Sequence, residues 1–492
     1  MNKIAEYLGK PVEEFTRRDL VKFIQEQNIE MVNFRYVGGD GRLKTLNFVI
    51  TGRAQLDRLL STGERVDGSS LLPHINPAAS DLYVIPRYKT AFVNPFASIP
   101  TVDILCSYYN SQGVRLPSSP ENIVKKAHEE LQKSTGLSLE AMGELEYYVL
   151  YDSQQSYPVL PQKGYHESSP FTKWEQLRLE AMQAVAQAGG NIKYGHTEVG
   201  ILNSEDFKME QHELEFMPAP IEDAADQIII AKWMLRMIAY KYGVTISFAP
   251  KILIGHAGSG LHIHSRLVKD GKNMMVAGSQ ISDMAKKVIA GYLKGAPSLT
   301  AFGNIVPTSY LRLVPHQEAP THVCWGYGNR STLVRVPLGW LNVNNMAQDA
   351  NPVDRAEIPE FMVNQTVELR CPDGSANIYL LLAGMAVAAR HGLEMADALR
   401  VAENLYVDVN IFAPENKPLQ EKLPHLPTSC WDSAGILLKE RELYEKDGVF
   451  PATVIDDLAK QLKSYDDQGL SERLYNKKDE IKKTINEYLH CG

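Results

Sequence analysis

Gly258–Leu267, GSGLHIHSRL, sets two histidines two residues apart in an apolar run directly after a Gly-Ser-Gly turn. That spacing puts His262 and His264 on one face of a β-strand. The arrangement recurs twice: Glu144 and Glu146 in GELEYYVL (Gly143–Leu150), and Glu368 and Arg370 in TVELRCP (Thr366–Pro372). Charged side chains are rarely buried unless paired or bound to metal, so several such strands aiming acids at one sheet face require cations. Oxygen ligands with one imidazole favour Mg²⁺ or Mn²⁺ over thiolate-bound zinc. Each pair alone also reads as the wet face of an antiparallel strand. Arg312, Arg330, Arg335 and Arg370 fall close together in the chain, as bidentate partners for a triphosphate and a carboxylic acid would, or as surface ion pairs.

Around these strands the chain is 492 residues long and 44% hydrophobic, enough for one large core or two. Its formal charge of −8, with 51 basic and 59 acidic residues spread along the chain, gives no footprint for nucleic acid or an anionic membrane. The N-terminus, MNKIAEYLGKPVEEF, lacks the apolar run of a leader, and Ala376–Ala389 is too short to cross a bilayer and reads as a buried helix. Five scattered cysteines suit reduced thiols. A cytoplasmic protein is expected.

Met31–Ile50 carries two β-rich runs around Gly-Gly-Asp-Gly, a hairpin signal; further runs at Leu82–Ile85 and Thr101–Cys106 extend a small sheet. LPSSPE (Leu116–Glu121) looks like a linker into a capped helix, so domains are expected at 15–111 and 112–492. The second alternates helices (about 120–134, 172–189, 220–242) with strands at Gly143–Tyr151, Glu198–Gly200, His212–Phe216, Thr245–Phe248 and Gly260–Leu267. This predicts an α+β fold with a largely antiparallel sheet flanked by helices. The charged tail, Ala452–His490, reads as a solvated or intersubunit helical element.

TSYLRLVPHQEAPTHVCWGYGNRSTLVRVP (Thr308–Pro337), followed by VELRCPDGSANIYLLLAGMAVAARHGLE (Val367–Glu394), resembles the signature of glutamine synthetases. VDGSS (Val66–Ser70), GELEYYVL, KGYHESSP (Lys163–Pro170), HTEVG, EQHELEF, FAPKIL (Phe248–Leu253) and GSGLHIH match in the expected order, so the resemblance covers roughly residues 15–440. It implies an N-terminal β-grasp domain and a C-terminal catalytic domain with a curved antiparallel sheet. It also implies a homo-oligomer, usually a dodecamer of two stacked hexameric rings with sites between neighbouring subunits. The implied chemistry is ATP-dependent ligation of ammonia to L-glutamate through a γ-glutamyl phosphate, giving glutamine, ADP and phosphate.

By motif matching, Glu146, Glu198 and Glu213 would hold one divalent ion and Glu144, His262 and Glu368 another. Two to three Mg²⁺ (or Mn²⁺) are implied per site. Arg330 and Arg335 would stabilise the transferred phosphoryl group, with His264 touching nucleotide and Arg370 the reacting carboxylate. Arg312 and Gly258 would define the amino-acid site. Asp67 would reach a neighbour's site to attract ammonium and help deprotonate it. Glu318 would close the site and take a proton from the tetrahedral adduct.

The pattern also departs. Ala257 stands where an asparagine is common, Gly328 replaces a larger or basic residue, and Arg266 sits where a small residue is frequent. The Glu198–Glu213 interval is long, and an insertion spans roughly Trp340–Met362. These changes leave open γ-glutamylation of another amine, such as a polyamine or ethanolamine. A catalytically silent structural oligomer is the third reading. Tyr406 occupies the place of a tyrosine that some bacterial members adenylylate, in a context that also suits an ordinary loop tyrosine.

Overall fold

The computed structural model describes residues 2–153, 156–157, 159–203, 208–314, 319–341, 343–353 and 364–492. In the N-terminal part, β1 (Met31–Val37) and β2 (Leu43–Val49) form the hairpin that the glycine-rich turn predicts. With β3 (Glu64–Asp67), β4 (Asp81–Pro86), β5 (Phe92–Val93) and β6 (Thr101–Tyr109) they make a sheet ordered β2-β1-β6-β4-β3, with β5 on β6. β1 and β6 run parallel. Helices Arg17–Glu26 and Arg53–Thr62 bury Leu20, Phe23, Leu56 and Leu60 against Val32, Phe34 and Ile104 of this sheet, forming a β-grasp domain with its own core.

The larger sheet contains β7 (Ser138–Leu150), β8 (Ile192–Asn203), β9 (Lys208–Phe216), β10 (Ala219–Pro220), β11 (Thr245–Ser247), β12 (Leu261–Lys269) and β13 (Lys272–Asn273). After a separate hairpin of β14 (Val276–Ala277) and β15 (Gln280–Ile281), the sheet is completed by β16 (Trp325–Tyr327), β17 (Val334–Val336) and β18 (Val367–Leu369). Its order is β16-β17-β18-β12-β7-β9-β8, antiparallel throughout except for β16–β17. Helices flank it. Ile221–Tyr242 ends where Gly243 turns left-handed at φ 68°, and Pro120–Thr135 ends likewise at Gly136. Asp283–Gly303 and Ile378–Glu394 meet at glycines: a Cβ on Gly291 would lie 2.1 Å from the Ala388 carbonyl oxygen. Such contact permits only glycine there.

The expected buried helix at Ala376–Ala389 is Ile378–Glu394, nearly all of it inside the core. No single helix is long and apolar enough to cross a membrane among the described residues. All five cysteines are free, four of them buried. Two ion pairs fasten the domains: Arg87 grips both oxygens of Asp226 at 2.7 and 2.9 Å, and Lys89 Nζ lies 2.5 Å from Asp223. The tail is helical at Ala452–Ser464, Leu470–Arg473 and Lys478–Tyr488. Most of it is exposed, as its charge suggested, while Leu489 and the following Cys491 pack beside Tyr148 and Ile252 of the catalytic domain.

Candidate active site

Strand register assembles the site. His262 lies opposite Glu144, which lies opposite Glu215; Glu146 lies opposite Glu213, which lies opposite His196; Arg335 lies opposite Glu368, which lies opposite His264. Cross-strand neighbours share a face, so residues scattered from Glu144 to Glu368 meet on one surface. That surface is the wall of a cavity of about 400 Å³. Glu144, Glu146, Glu198, Glu213, His262 and His264 line it, as do Gly258, Arg312, Arg330, Arg335 and Arg370. Glu368 sits just behind, fully buried.

Two groups of donor atoms lie within 4.8 Å of one another: Glu144, His264 and Glu368, and His196, Glu198 and Glu213. These sets differ by one residue each from the family pairing. His262 Nδ1 is 2.9 Å from Glu144 and 3.7 Å from Glu368, while its Nε2 is 3.8 Å from Glu146. His262 thus stands between the two groups, and His264 Nε2, 2.8 Å from Glu144 and 3.9 Å from Glu368, approaches the same two carboxylates. Glu146 accepts hydrogen bonds from Gln211 Nε2 and the Gly260 amide.

The electrostatics fit divalent ions. Burial, and then the charges of Glu144, Glu146, Glu198 and Glu215, push the Glu213 carboxyl well above the usual range. Burial acts the same way on Glu144, but His264 and His262 outweigh it and hold that carboxyl well below. Crowded carboxylates with imidazole nearby form a hard, oxygen-rich donor set of the kind that binds Mg²⁺ or Mn²⁺. We expect millimolar Mg²⁺ to raise the midpoint of thermal unfolding and chelation to reverse it. Saturation a hundredfold above Kd is worth about 2.7 kcal/mol. Calorimetry that shows no shift would remove the ions from this site.

Arg335 lies on β17 and Arg370 directly after β18, while Arg312 ends the helix Pro307–Arg312 and Arg330 lies in the loop before β17. Glu368 accepts from Arg370 Nη1 at 2.5 Å and from Arg335 Nη1 at 2.7 Å. Arg312 is buried, its guanidinium donating to the carbonyls of Cys371, Pro372 and Arg370. The Gly-Ser-Gly turn makes room for it: a Cβ on Gly258 would lie 2.4 Å from the Pro250 oxygen and 2.9 Å from Arg312 Cγ, and one on Gly260 would lie 2.6 Å from Arg312 Nη2. Gly258→Ala should therefore shift Arg312 and raise the KM for the amino-acid substrate about tenfold, an overpacking cost of about 1–3 kcal/mol. An unchanged KM would separate Arg312 from substrate binding.

Other expectations fall differently. Arg266 is held by Glu140, its cross-strand neighbour on β7, at 2.7 and 2.8 Å and does not line the cavity. Asp67 is exposed and does not line its own chain's cavity. Hydroxyls of Ser70, Ser69 and Ser80 hold its carboxyl well below the usual range. Glu318 lies outside the described residues, as do 342 and 354–362 of the insertion. Tyr406 is partly exposed, its ring 5.0 Å from that of Trp325. His196, Lys193, Tyr165 and Glu215 line the cavity without having been singled out. HTEVG contained His196, but its partnership with Glu213 is a matter of register.

A family model described as the glutamine synthetase catalytic domain matches residues 117–473, and one described as the glutamine synthetase β-grasp domain matches 28–111. The glutamine synthetase of Clostridium saccharobutylicum is 28% identical over 442 residues, 88% of this chain and 91% of its own. In fold, the chain resembles the Plasmodium falciparum glutamine synthetase (TM-score 0.74, 19% identity, 93% of this chain and 97% of that one). It also resembles a GmaS–ADP complex (TM-score 0.72, 19% identity, 92% and 96%). Fold, site and relatives define an enzyme of the carboxylate–amine ligase type. The chain belongs to the glutamine synthetase family.

Proposed function

We propose that this enzyme joins ammonia to L-glutamate. The substrate carboxylate attacks the γ-phosphorus of ATP, releasing ADP and forming γ-glutamyl phosphate; ammonia then displaces phosphate. One observation carries the reading: a single cavity gathers two carboxylate–histidine groups from one sheet face and four arginines around them. Glu146, Glu198 and Glu213, with His196, would hold one ion, and Glu144, His262 and Glu368, with His264, another. Bound there, Mg²⁺ or Mn²⁺, two to three per site, would neutralise phosphate and carboxylate oxygens.

In this reading the chain's own groups do the positioning. Arg312, fixed by three carbonyls beside Gly258, holds the α-carboxylate. Arg370 orients the reacting carboxylate, while Arg335 and the exposed Arg330 receive charge developing on the phosphoryl group. His264 faces the nucleotide side. Glu318 excludes water and takes a proton from the tetrahedral adduct. Asp67 enters from a neighbouring subunit of a dodecamer of two stacked hexameric rings, in a cytoplasmic enzyme. Its serine clamp makes it a poor base, which favours attraction of ammonium over removal of its proton.

Ala257, at the cavity wall without a polar side chain, favours a second reading in which an organic amine replaces ammonia. The test is Mg²⁺-dependent phosphate release from ATP and L-glutamate, with ammonium set against putrescine, ethanolamine and methylamine and products identified by mass. Ammonium-dependent glutamine supports the first reading. Turnover with an organic amine alone supports the second, and silence with every amine overturns both.

A further inference from the structure

A second cavity, of about 370 Å³ and sharing no lining residue with the catalytic one, lies where three segments meet. The β1–β2 turn brings Arg42 and Leu43 from the β-grasp domain. Helix Ile221–Tyr242 brings Ile229, Lys232, Trp233 and Arg236, and the tail after Tyr488 closes the third side. Three cations therefore line one cavity, and its lining includes no acidic side chain. Among the described residues, no Asp or Glu side chain pairs with Arg42, Lys232 or Arg236; the nearby Asp40 of the same turn pairs with Lys44 instead.

Their hydrogen bonds go to backbone carbonyls instead. Lys232 Nζ donates to Gly374 at 2.7 Å, Arg236 Nη2 to Cys491 at 3.1 Å, and Arg42 Nη2 to His490. Lys232 and Arg236 also face the Phe248 ring at 5.2 and 4.8 Å, but no anionic side chain meets any of the three, and each keeps further N–H donors, since Lys offers three and Arg five. Lys232 is 2% exposed. Burial, then Arg236, bring its pKa down to about 7; Cys491 and the more distant Asp373 oppose this, and Arg42 adds to it. Arg236 is brought to about 10 by burial and Arg42. Cations that repel one another in a low-dielectric recess are costly unless an anion joins them.

We propose that this recess binds the phosphate group of a small molecule. A tetrahedral oxyanion can accept from two guanidinium groups and an ammonium at once, matching the three donors present. A cavity of this volume exceeds a bare phosphate, and Leu43, Ile229 and Trp233 offer an apolar wall for the remainder of a phosphate ester. Because the lining comes from both domains and the tail, the ligand bridges them and stabilises their packing without touching the catalytic cavity.

The test is isothermal titration of the full-length protein with inorganic phosphate and, separately, with ribose 5-phosphate, at low ionic strength and without Mg²⁺. Saturable binding at one site per chain is expected. Arg42→Gln and Arg236→Gln should each weaken it about tenfold, and Lys232→Met by more, the scale of losing one charge-assisted contact. Arg335→Gln, in the catalytic cavity, should leave the affinity unchanged. Binding of both ligands marks a free-phosphate site, and binding of the ester alone marks a metabolite site. No saturable binding, or binding lost in Arg335→Gln but retained in Arg42→Gln, overturns the proposal. Arg42 is exposed on a turn, so its variant reads the site even if Lys232→Met does not fold.

Discussion

Glu368→Ala should lower kcat for phosphate release by about three orders of magnitude, and Glu368→Gln should lose nearly as much. Glu368 is fully buried on β18, between His264 of β12 and Arg335 of β17, and its two oxygens accept separately from Arg370 and Arg335. Burial would raise its pKa, but Arg370 prevails and keeps the carboxyl below the ordinary range. It therefore stays ionised at neutral pH, as a metal ligand must be. Removing it does two separable things. It deletes a donor from the group with Glu144 and His264, and it leaves two guanidinium groups facing each other without their counter-charge.

Breaking a buried ion pair costs about 3–5 kcal/mol, so unfolding must be measured beside activity. Glu368→Gln keeps the volume and one acceptor, and it isolates the loss of charge. A folded Glu368→Gln protein with unchanged phosphate release would take the acidic cluster out of the chemistry and favour the structural-oligomer reading. Inactivity together with loss of the Mg²⁺-induced thermal shift ties the two effects to one carboxylate.

The sequence carried the strands well because period two is local: Glu144 with Glu146 and His262 with His264 declared a shared face before any partner strand was known. Register is not local. Which imidazole meets which carboxylate depends on how β12 pairs with β7 and β18, and here both His262 and His264 reach Glu144, at 2.9 and 2.8 Å. His196 was missed for the same reason, since only the pairing of β8 with β9 brings it to Glu213. Element ends moved where tertiary bonds outweighed propensity. The helix expected from 172 begins at Glu175 because Thr172 Oγ1 and the amides of Lys173 and Trp174 are donated to buried Glu210. Family motifs fixed the candidate arginines, while the packing that makes Gly258 obligatory beside Arg312 became visible only in three dimensions.

Co-expressing Asp67→Asn with Glu368→Ala chains should restore activity that neither variant has alone. Asp67 sits at the end of β3 in the β-grasp domain, exposed and outside its own chain's cavity, with its oxygens 2.7 and 2.6 Å from the hydroxyls of Ser69 and Ser70. Asp67 also caps its own turn, accepting from the Ser69 amide, and its exposed charge is open to a cation on another surface. If that surface is a neighbouring subunit's cavity, each site takes Asp67 from one chain and Glu368 from another. In a randomly mixed ring the Asp67 donor is intact in about half the sites and the Glu368 donor in about half, independently, so about a quarter of sites recover both. Purified separately and never mixed, the variants should show no such recovery. If Asp67 served its own chain, every site in the mixed ring would carry one defect, and co-expression would yield no more than the sum of the two variants. Mass photometry of the mixed rings, with two differently sized tags, verifies mixing, so a flat result in mixed rings would reject the shared site outright.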